Sequence, residues 1–393
     1  MSHNSRALRA LLACLATDEC APRQADVVIL ASRHFLGARR GEVGGEAIWY
    51  AMAALDELGY TTLFADNIQR AVTLHALFPS LVRAVVANEW DMQPCANDAA
   101  ACVKSAQNPL GIPAWKLFSF SFFRGVDSSL PLGDRWVLAP EDYPGSKHVH
   151  IGYSIERTCE KRPPAVEREP IAYVLGKHKV YWQERFYIWE GVDWTGPPAN
   201  LTEELGLTLP KNFKFVACVD DMYAEDPKQA LPNGIENICG DEKRMLAQEQ
   251  FVKKLAASRL LVGVGRPWVS PTPYDALCLG VPFLNPIHSW NKRDPDDREK
   301  WITQHDGLKF EERPLVYHVR KSPSAGQRNR DFWVSVLHAV NTPIQRCARH
   351  VPERMTMVAV RRRVDDWLQH DWRAEAQKSL EEQTGQRVSR RRD

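Results

Sequence analysis

The stretch Leu260 to Pro286, LLVGVGRPWVSPTPYDALCLGVPFLNP, constrains the fold more than any other part of the chain. An apolar run of β-type residues, Leu260 to Val264, contains Gly263 and leads into Gly265. A proline-rich turn, Arg266 to Pro273, comes next, and then a short helix from Pro273 to Leu279. Gly280 stops that helix, and Val281 to Leu284 resumes as a strand. Glycines let the backbone approach a ligand closely, and the exposed N–H groups and dipole of a helix N-terminus attract anions. Strand, glycine turn, helix and strand in this order suit a sugar nucleotide, whose diphosphate must be neutralised as it leaves. The same order also describes a βαβ crossover with tight turns and no ligand.

Strands and helices alternate in two successive blocks. Asp26 to Ser32 reads as a buried parallel strand. The segment Gly44 to Leu58 places Ile48, Met52 and Leu55 at helical spacing, with Gly59 as its cap, and Tyr60 to Ala65 returns as a strand. That order opens a doubly wound sheet. Leu81 to Ala87 and Trp136 to Ala139 are further strands, while Asn108 to Phe123 is aromatic-rich and irregular. Charge and proline from Glu160 to Pro170 read as a linker. The pattern then restarts with strands at Ile171–Leu175, Phe213–Val219 and Leu315–Val319, and helices at Glu242–Ala257 and Asp331–Val340. The expected fold class is α/β, with two doubly wound Rossmann-like domains at residues 1–165 and 166–345. Helices and a basic tail, 346–393, follow, and the helical segment Pro352 to Gln377 is expected to pack back on the first domain.

Composition agrees with this division. At 393 residues the chain is long enough for two domains, each with its own core. A net charge of +2 gives no electrostatic case for nucleic acid as a partner. Arg361 to Arg363 and the tail Arg387 to Arg392 read as a solvated helix face and a disordered end. Thirteen tryptophans leave room for stacking platforms beneath sugars. Among nine cysteines, Cys14 with Cys20 and Cys95 with Cys102 are spaced like small disulfide loops, whereas Cys218 and Cys278 read as buried thiols. No Cys/His grouping has zinc spacing. The apolar run Ala7 to Ala16 is too short and too interrupted for a membrane span or a signal peptide.

The Leu260–Pro286 segment resembles the donor-binding segment of the N-acetylglucosaminyltransferase V family, β-1,6 branching enzymes of N-glycans, in their fungal forms. The matching residues are Gly263, Gly265, Pro267, Pro271, Pro273, Asp275, Ala276, Gly280 and Phe283 to Pro286. Thr303-Gln304-His305, Tyr173 to Lys177, and Gly45-Glu46 with the helix ending in Leu58-Gly59-Tyr60 extend the match over residues 26 to 320. The resemblance implies GT-B architecture, two Rossmann-like domains facing a cleft. It also implies inverting transfer of N-acetylglucosamine from UDP-GlcNAc, the donor substrate, to a mannose of an N-glycan or glycoprotein acceptor. No cofactor and no metal are expected. A Golgi location is implied, with the membrane reached only through an N-terminal anchor not seen in this sequence. Another UDP-sugar or glycan acceptor, or a catalytically silent glycan-binding protein, would fit the same scaffold.

Inverting transfer needs a base for the acceptor hydroxyl and electrostatic help for the leaving diphosphate. The resemblance places the base on Glu46; a glutamate in the first turn of a helix also serves the dipole alone. Thr272-Pro-Tyr-Asp275 is a capping-box pattern, and Asp275 is also placed to accept from ribose hydroxyls. Lys177, with Lys179 as substitute, and Arg266 are set to meet diphosphate oxygens. His305 either lines the cleft or is structural, and His34 is a further candidate. The donor site expected is therefore Lys177, Gly263, Gly265, Arg266, Pro271, Thr272, Asp275 and His305. Family members carry an acid where this chain has Val269. Asp294-Pro-Asp296 lies in a charged loop, and Asp220-Asp221, closing a strand, is the better metal candidate if one is needed.

Overall fold

The computed structural model describes residues 3–39, 46–98, 101–122, 130–143, 145–161, 167–183, 185–221, 230–239, 245–343 and 349–390. The chain divides into two compact units, one formed by Met1–Ser154 with Glu353–Asp393 and the other by Ile155–Pro352. The division therefore falls at 154/155 and 352/353, ahead of the proline-rich linker and after residue 345.

The first unit opens with α1 (His3–Thr17), β1 (Val27–Ala31), α2 (Arg33–Arg39), α3 (Glu46–Leu58) and β2 (Thr61–Ala65). It continues with α4 (Ile68–Leu77), β3 (Val82–Asn88), α5 (Gln93–Asn97), β4 (Leu117–Phe120), β5 (Val137–Ala139) and β6 (Val149–His150). All six strands are parallel, in the order β2-β1-β3-β4-β5-β6. β1 is buried along its whole length, as an unbroken VVILA run requires when helices cover both faces of a sheet. Asn67 caps α4 by accepting the Arg70 N–H at 2.9 Å.

The second unit comprises α6 (Glu156–Lys161), β7 (Ile171–Leu175), α7 (Leu201–Leu205), β8 (Lys214–Ala217), β9 (Ile235–Asn237) and α8 (Gln248–Ala257). Then come β10 (Leu260–Gly263), α9 (Thr272–Cys278), β11 (Phe283–Ser289), β12 (Ile302–Thr303), β13 (Val316–Arg320) and α10 (Ala325–Asn341). Its sheet runs β12-β11-β10-β7-β8-β9, with β13 also on β11, and only β12 is antiparallel. An aromatic core backs it: Phe332 packs on Trp189, Trp194, Phe215 and Trp333 at ring separations of 5.1, 4.8, 5.9 and 5.7 Å.

After α10 the chain returns to the first unit as α11 (Met357–Gln369), capped by Thr356, and α12 (Trp372–Arg390). Phe118 of β4 receives Trp367 at 5.2 Å and Trp372 at 5.0 Å, both edge to face. Arg363 is not on a solvated face. Its guanidinium donates to the carbonyls of Ile151 and Arg354, at 3.1 and 2.6 Å, because it bridges α11 to the end of the sheet.

The expected α/β class, with two doubly wound Rossmann-like sheets, is the class observed. The irregular stretch 108–123 contains β4, whose LFSF run is buried throughout. Four disulfides join the described cysteines: Cys14–Cys20, Cys95–Cys102, Cys159–Cys278 and Cys218–Cys239. Cys218 and Cys278 are thus paired rather than free thiols, because β8 and α9 bring each beside a partner distant in sequence.

Candidate functional site

In the second unit the chain builds β8 and β9 on one side of β7, then crosses through α8 to place β10 on the other side. β7 and β10 therefore flank the point where strand order reverses, and open parallel sheets bind ligands outside the carboxyl ends of such strands. Gly176-Lys177 leaves β7 there, and Val264-Gly265-Arg266 leaves β10, with Leu175 and Gly263 in register.

Trp182 and residues 185–189 lie at this edge and are tied to both strands. Trp182 Nε1 donates to the Gly176 carbonyl at 2.9 Å, Ile188 N–H to Val264 at 3.1 Å, and Trp189 Nε1 to Gly263 at 2.6 Å. Trp182, Tyr187, Trp189 and Glu190 contribute to a cavity of about 350 Å³ that does not reach Lys177 or Arg266. Volume alone does not mark the cationic edge.

Both glycines of the turn are explained by one side chain and one dihedral angle. A Cβ on Gly263 would lie 2.3 Å from Gln304 Oε1, and Gly265 adopts φ +103°. Gln304, almost fully buried, accepts the Gly265 N–H at 2.8 Å and donates to the Pro267 carbonyl at 3.3 Å. Its own backbone accepts from Val269 and donates to Pro286, at 3.0 and 2.9 Å. Val269, at φ +46°, holds a left-handed conformation that a β-branched residue rarely takes. The turn is thus braced from below by Gln304, and the Gly265 N–H is already engaged.

Arg266 projects from this braced turn. Its guanidinium carbon lies 4.3 Å from the centre of the Trp268 ring and 5.1 Å from that of Phe186. No carboxylate among the described residues pairs with it, and burial lowers its pKa from the ordinary arginine value. The Trp268 ring also packs against His288 at 4.5 Å. Burial, first, and then the charges of Arg266 and Lys321 pull His288 down to about 4, against a backbone hydrogen bond at Gly265 that raises it. His288 is neutral at pH 7, and its buried Nε2 has no partner. Lys177 is exposed, and no partner for its side chain occurs among the described residues. Lys179, its substitute, pairs with Asp221 at 2.7 Å.

Other expected members are placed differently. His305 has no exposed surface: its Nε2 bonds the Ser270 carbonyl at 3.0 Å and its ring meets Tyr274 edge-on. It supports the turn from within the core and does not line a cleft. Helix α9 is capped at Pro271 without a side-chain bond, so Thr272 is already helical and the expected capping box is not formed. Two consecutive Xaa-Pro steps shift the start by one residue. Asp275 is half-buried in the first turn of α9, and Pro271 and Thr272 stand beside it. In the first unit α3 begins at Glu46, while the Gly44-Gly45 turn and the Glu46 side chain lie outside the described residues. His34 is exposed just past β1.

Three of the acids weighed as metal ligands, Asp220, Asp221 and Asp296, are engaged by cationic or imidazole groups. Asp220 bonds His178 Nδ1 at 2.7 Å, both being buried, and Asp296 pairs with Arg320 at 2.6 Å. Among the described residues no three His, Cys, Asp or Glu side chains are grouped to hold a metal ion. No helix among them is long and apolar enough to cross a membrane.

Sequence reasoning missed Phe186, Trp268 and His288, which three separate segments supply. It quoted Gln304 only as part of a match.

No protein-family model and no curated protein matches this chain. Solved structures align over most of its length at low similarity. MurG of Acinetobacter baumannii is 12% identical, covering 86% of this chain and 99% of its own, with a TM-score of 0.35. The glycotransferase of kitacinnamycin is 12% identical, with coverages of 91% and 98% and a TM-score of 0.35. CalG4, the calicheamicin glycosyltransferase, is 10% identical, with coverages of 88% and 99% and a TM-score of 0.34. At such values a neighbour's name says nothing about the activity of this chain.

Proposed function

We propose that the chain is an inverting GT-B glycosyltransferase that moves N-acetylglucosamine from UDP-GlcNAc to a mannose of an N-glycan as a β-1,6 branch. The second unit is read as the donor domain and the first as the acceptor domain. The observation that carries this reading is Arg266, set against the Trp268 and Phe186 rings with no carboxylate partner among the described residues, at the strand edge that Lys177 shares. A cation held in that way is prepared for an anionic ligand. Donor sugar, linkage and Golgi location come from the sequence resemblance.

In the reaction the acceptor hydroxyl gives its proton to the Glu46 carboxylate as its oxygen bonds the anomeric carbon. The bond from that carbon to the diphosphate breaks, and the electron pair leaves on the phosphate oxygen. Arg266 and Lys177 neutralise the charge developing there. Asp275 accepts from the ribose hydroxyls. Metal is not required, since these cations supply the neutralisation.

The test is calorimetry with UDP, followed by a donor screen of UDP- and GDP-sugars against a mannose-terminated glycan. UDP binding lost in Arg266→Ala and transfer from UDP-GlcNAc support the proposal. Absence of UDP binding, or transfer from a GDP-sugar alone, contradicts it.

A further inference from the structure

The first unit has a reversal point of its own. Strand order β2-β1-β3 turns about β1, so β1 and β3 present their carboxyl ends to the crevice where doubly wound sheets take ligands. Ser32 to His34 leaves β1 there, and Glu89-Trp90-Asp91 leaves β3. The two segments are joined: Ser32 Oγ donates to Asp91 Oδ2 and accepts the His34 N–H at 3.1 Å.

Trp90 is 66% exposed and is the one exposed tryptophan among the described residues. An indole of that size left in water at a ligand crevice gains by being covered. Glu89 and Asp91 on either side of it are half-buried carboxylates, and Asp66 follows β2. With Arg33 as the one cation in these segments, three carboxylates favour hydroxyl donors over phosphate.

We infer that this edge binds a pyranose ring of a neutral glycan. The C–H face of the ring lies on the Trp90 indole, and its hydroxyls donate to Glu89 and Asp91. In naming that glycan as the acceptor, the inference rests on the proposed transferase reading; the site itself does not.

The experiment uses the full chain and a mannose-terminated N-glycan, titrated by saturation-transfer NMR and tryptophan fluorescence, with and without UDP. Trp90→Ala and Glu89→Gln are compared with wild type, and melting curves confirm their folds. Trp90→Ala should weaken glycan binding about tenfold, the loss expected from uncovering roughly 55 Å² of indole, with UDP affinity unchanged. Glu89→Gln should weaken it by a similar factor, since a bond to a charged acceptor is replaced by a neutral one. Glycan binding that is absent in wild type, or unchanged in both variants, overturns the inference while leaving UDP binding to judge the donor reading. Glycan binding that depends on Trp90 in a chain that ignores UDP keeps this site and removes the transferase.

Discussion

Gln304 and Gly265 are joined by a side-chain bond of 2.8 Å, from Oε1 to the glycine N–H, beneath the turn that carries Arg266. The bond is possible because Gly263, two residues earlier, has no Cβ to fill the 2.3 Å that would separate it from the same oxygen. The glycines of the sequence motif are therefore needed for the packing of Gln304 as well as for the backbone angle at Gly265.

Gly263→Ala should overpack this point, since Pro286 Cδ and the Leu284 carbonyl stand at 2.8 and 3.0 Å from the added carbon. The expected cost is about 1–3 kcal/mol, read as a lowered urea midpoint. Gly326→Ala, where a Cβ meets nothing within 4 Å, is the control and should be neutral or slightly stabilising. Equal midpoints for the two variants would remove the bracing role given to Gln304.

Arg266→Lys keeps the charge and loses the planar group that lies between Trp268 and Phe186. UDP affinity should fall about tenfold while the melting temperature holds, since a lysine neither stacks nor forks onto phosphate. An unchanged affinity in calorimetry would show that the cation faces no ligand.

Much of the fold was legible because buried parallel strands are short apolar runs, as at Val27–Ala31, Ile171–Leu175 and Leu260–Gly263, the last two closed by glycine. β4 was not, because Leu117–Phe120 is framed by aromatic residues with neither period. Arg266 stood out as a phosphate candidate from its charge and its place after the glycine. Its aromatic setting did not. Phe186 lies 80 residues before it in a loop, and only the packing of β7 on β10 brings that loop across. His305 misled because a histidine beside a turn reads the same in sequence whether it faces ligand or core.

Four histidines, His75 buried and His150, His288 and His318 half-buried, set an acid limit. Burial is the main cause that lowers His75, His288 and His318 to about 4 and His150 to about 3, from an ordinary 6.5. Their neutral forms are favoured in the fold, so the unfolded chain binds more protons once pH drops below about 6.5. Stability should be fully present above that value and decline as pH falls towards about 4. Urea midpoints at neutral and mildly acid pH measure this. His318→Gln should flatten the decline; a midpoint that does not move between them contradicts it.

Transfer should survive saturating EDTA. The strand-terminal acids are engaged, Asp220 by His178 and Asp221 by Lys179, and the proposed neutralisation uses Arg266 and Lys177. Activity lost to EDTA and restored by manganese would move the chemistry to those acids.

Sugar transfer with Glu46 as base is tested by the rate of transfer from UDP-GlcNAc to a mannose-terminated glycan in wild type and Glu46→Gln. Glutamine keeps the size of the side chain and cannot take the proton. Turnover should fall by about 100- to 10,000-fold with UDP binding intact, as removal of a general base does. If Glu46 serves only the dipole of α3, the change is about 0.3–1 kcal/mol of stability with turnover nearly unchanged. Wild-type transfer that Glu46→Gln abolishes is the predicted result; no transfer by wild type, or equal rates for the two proteins, would contradict the account.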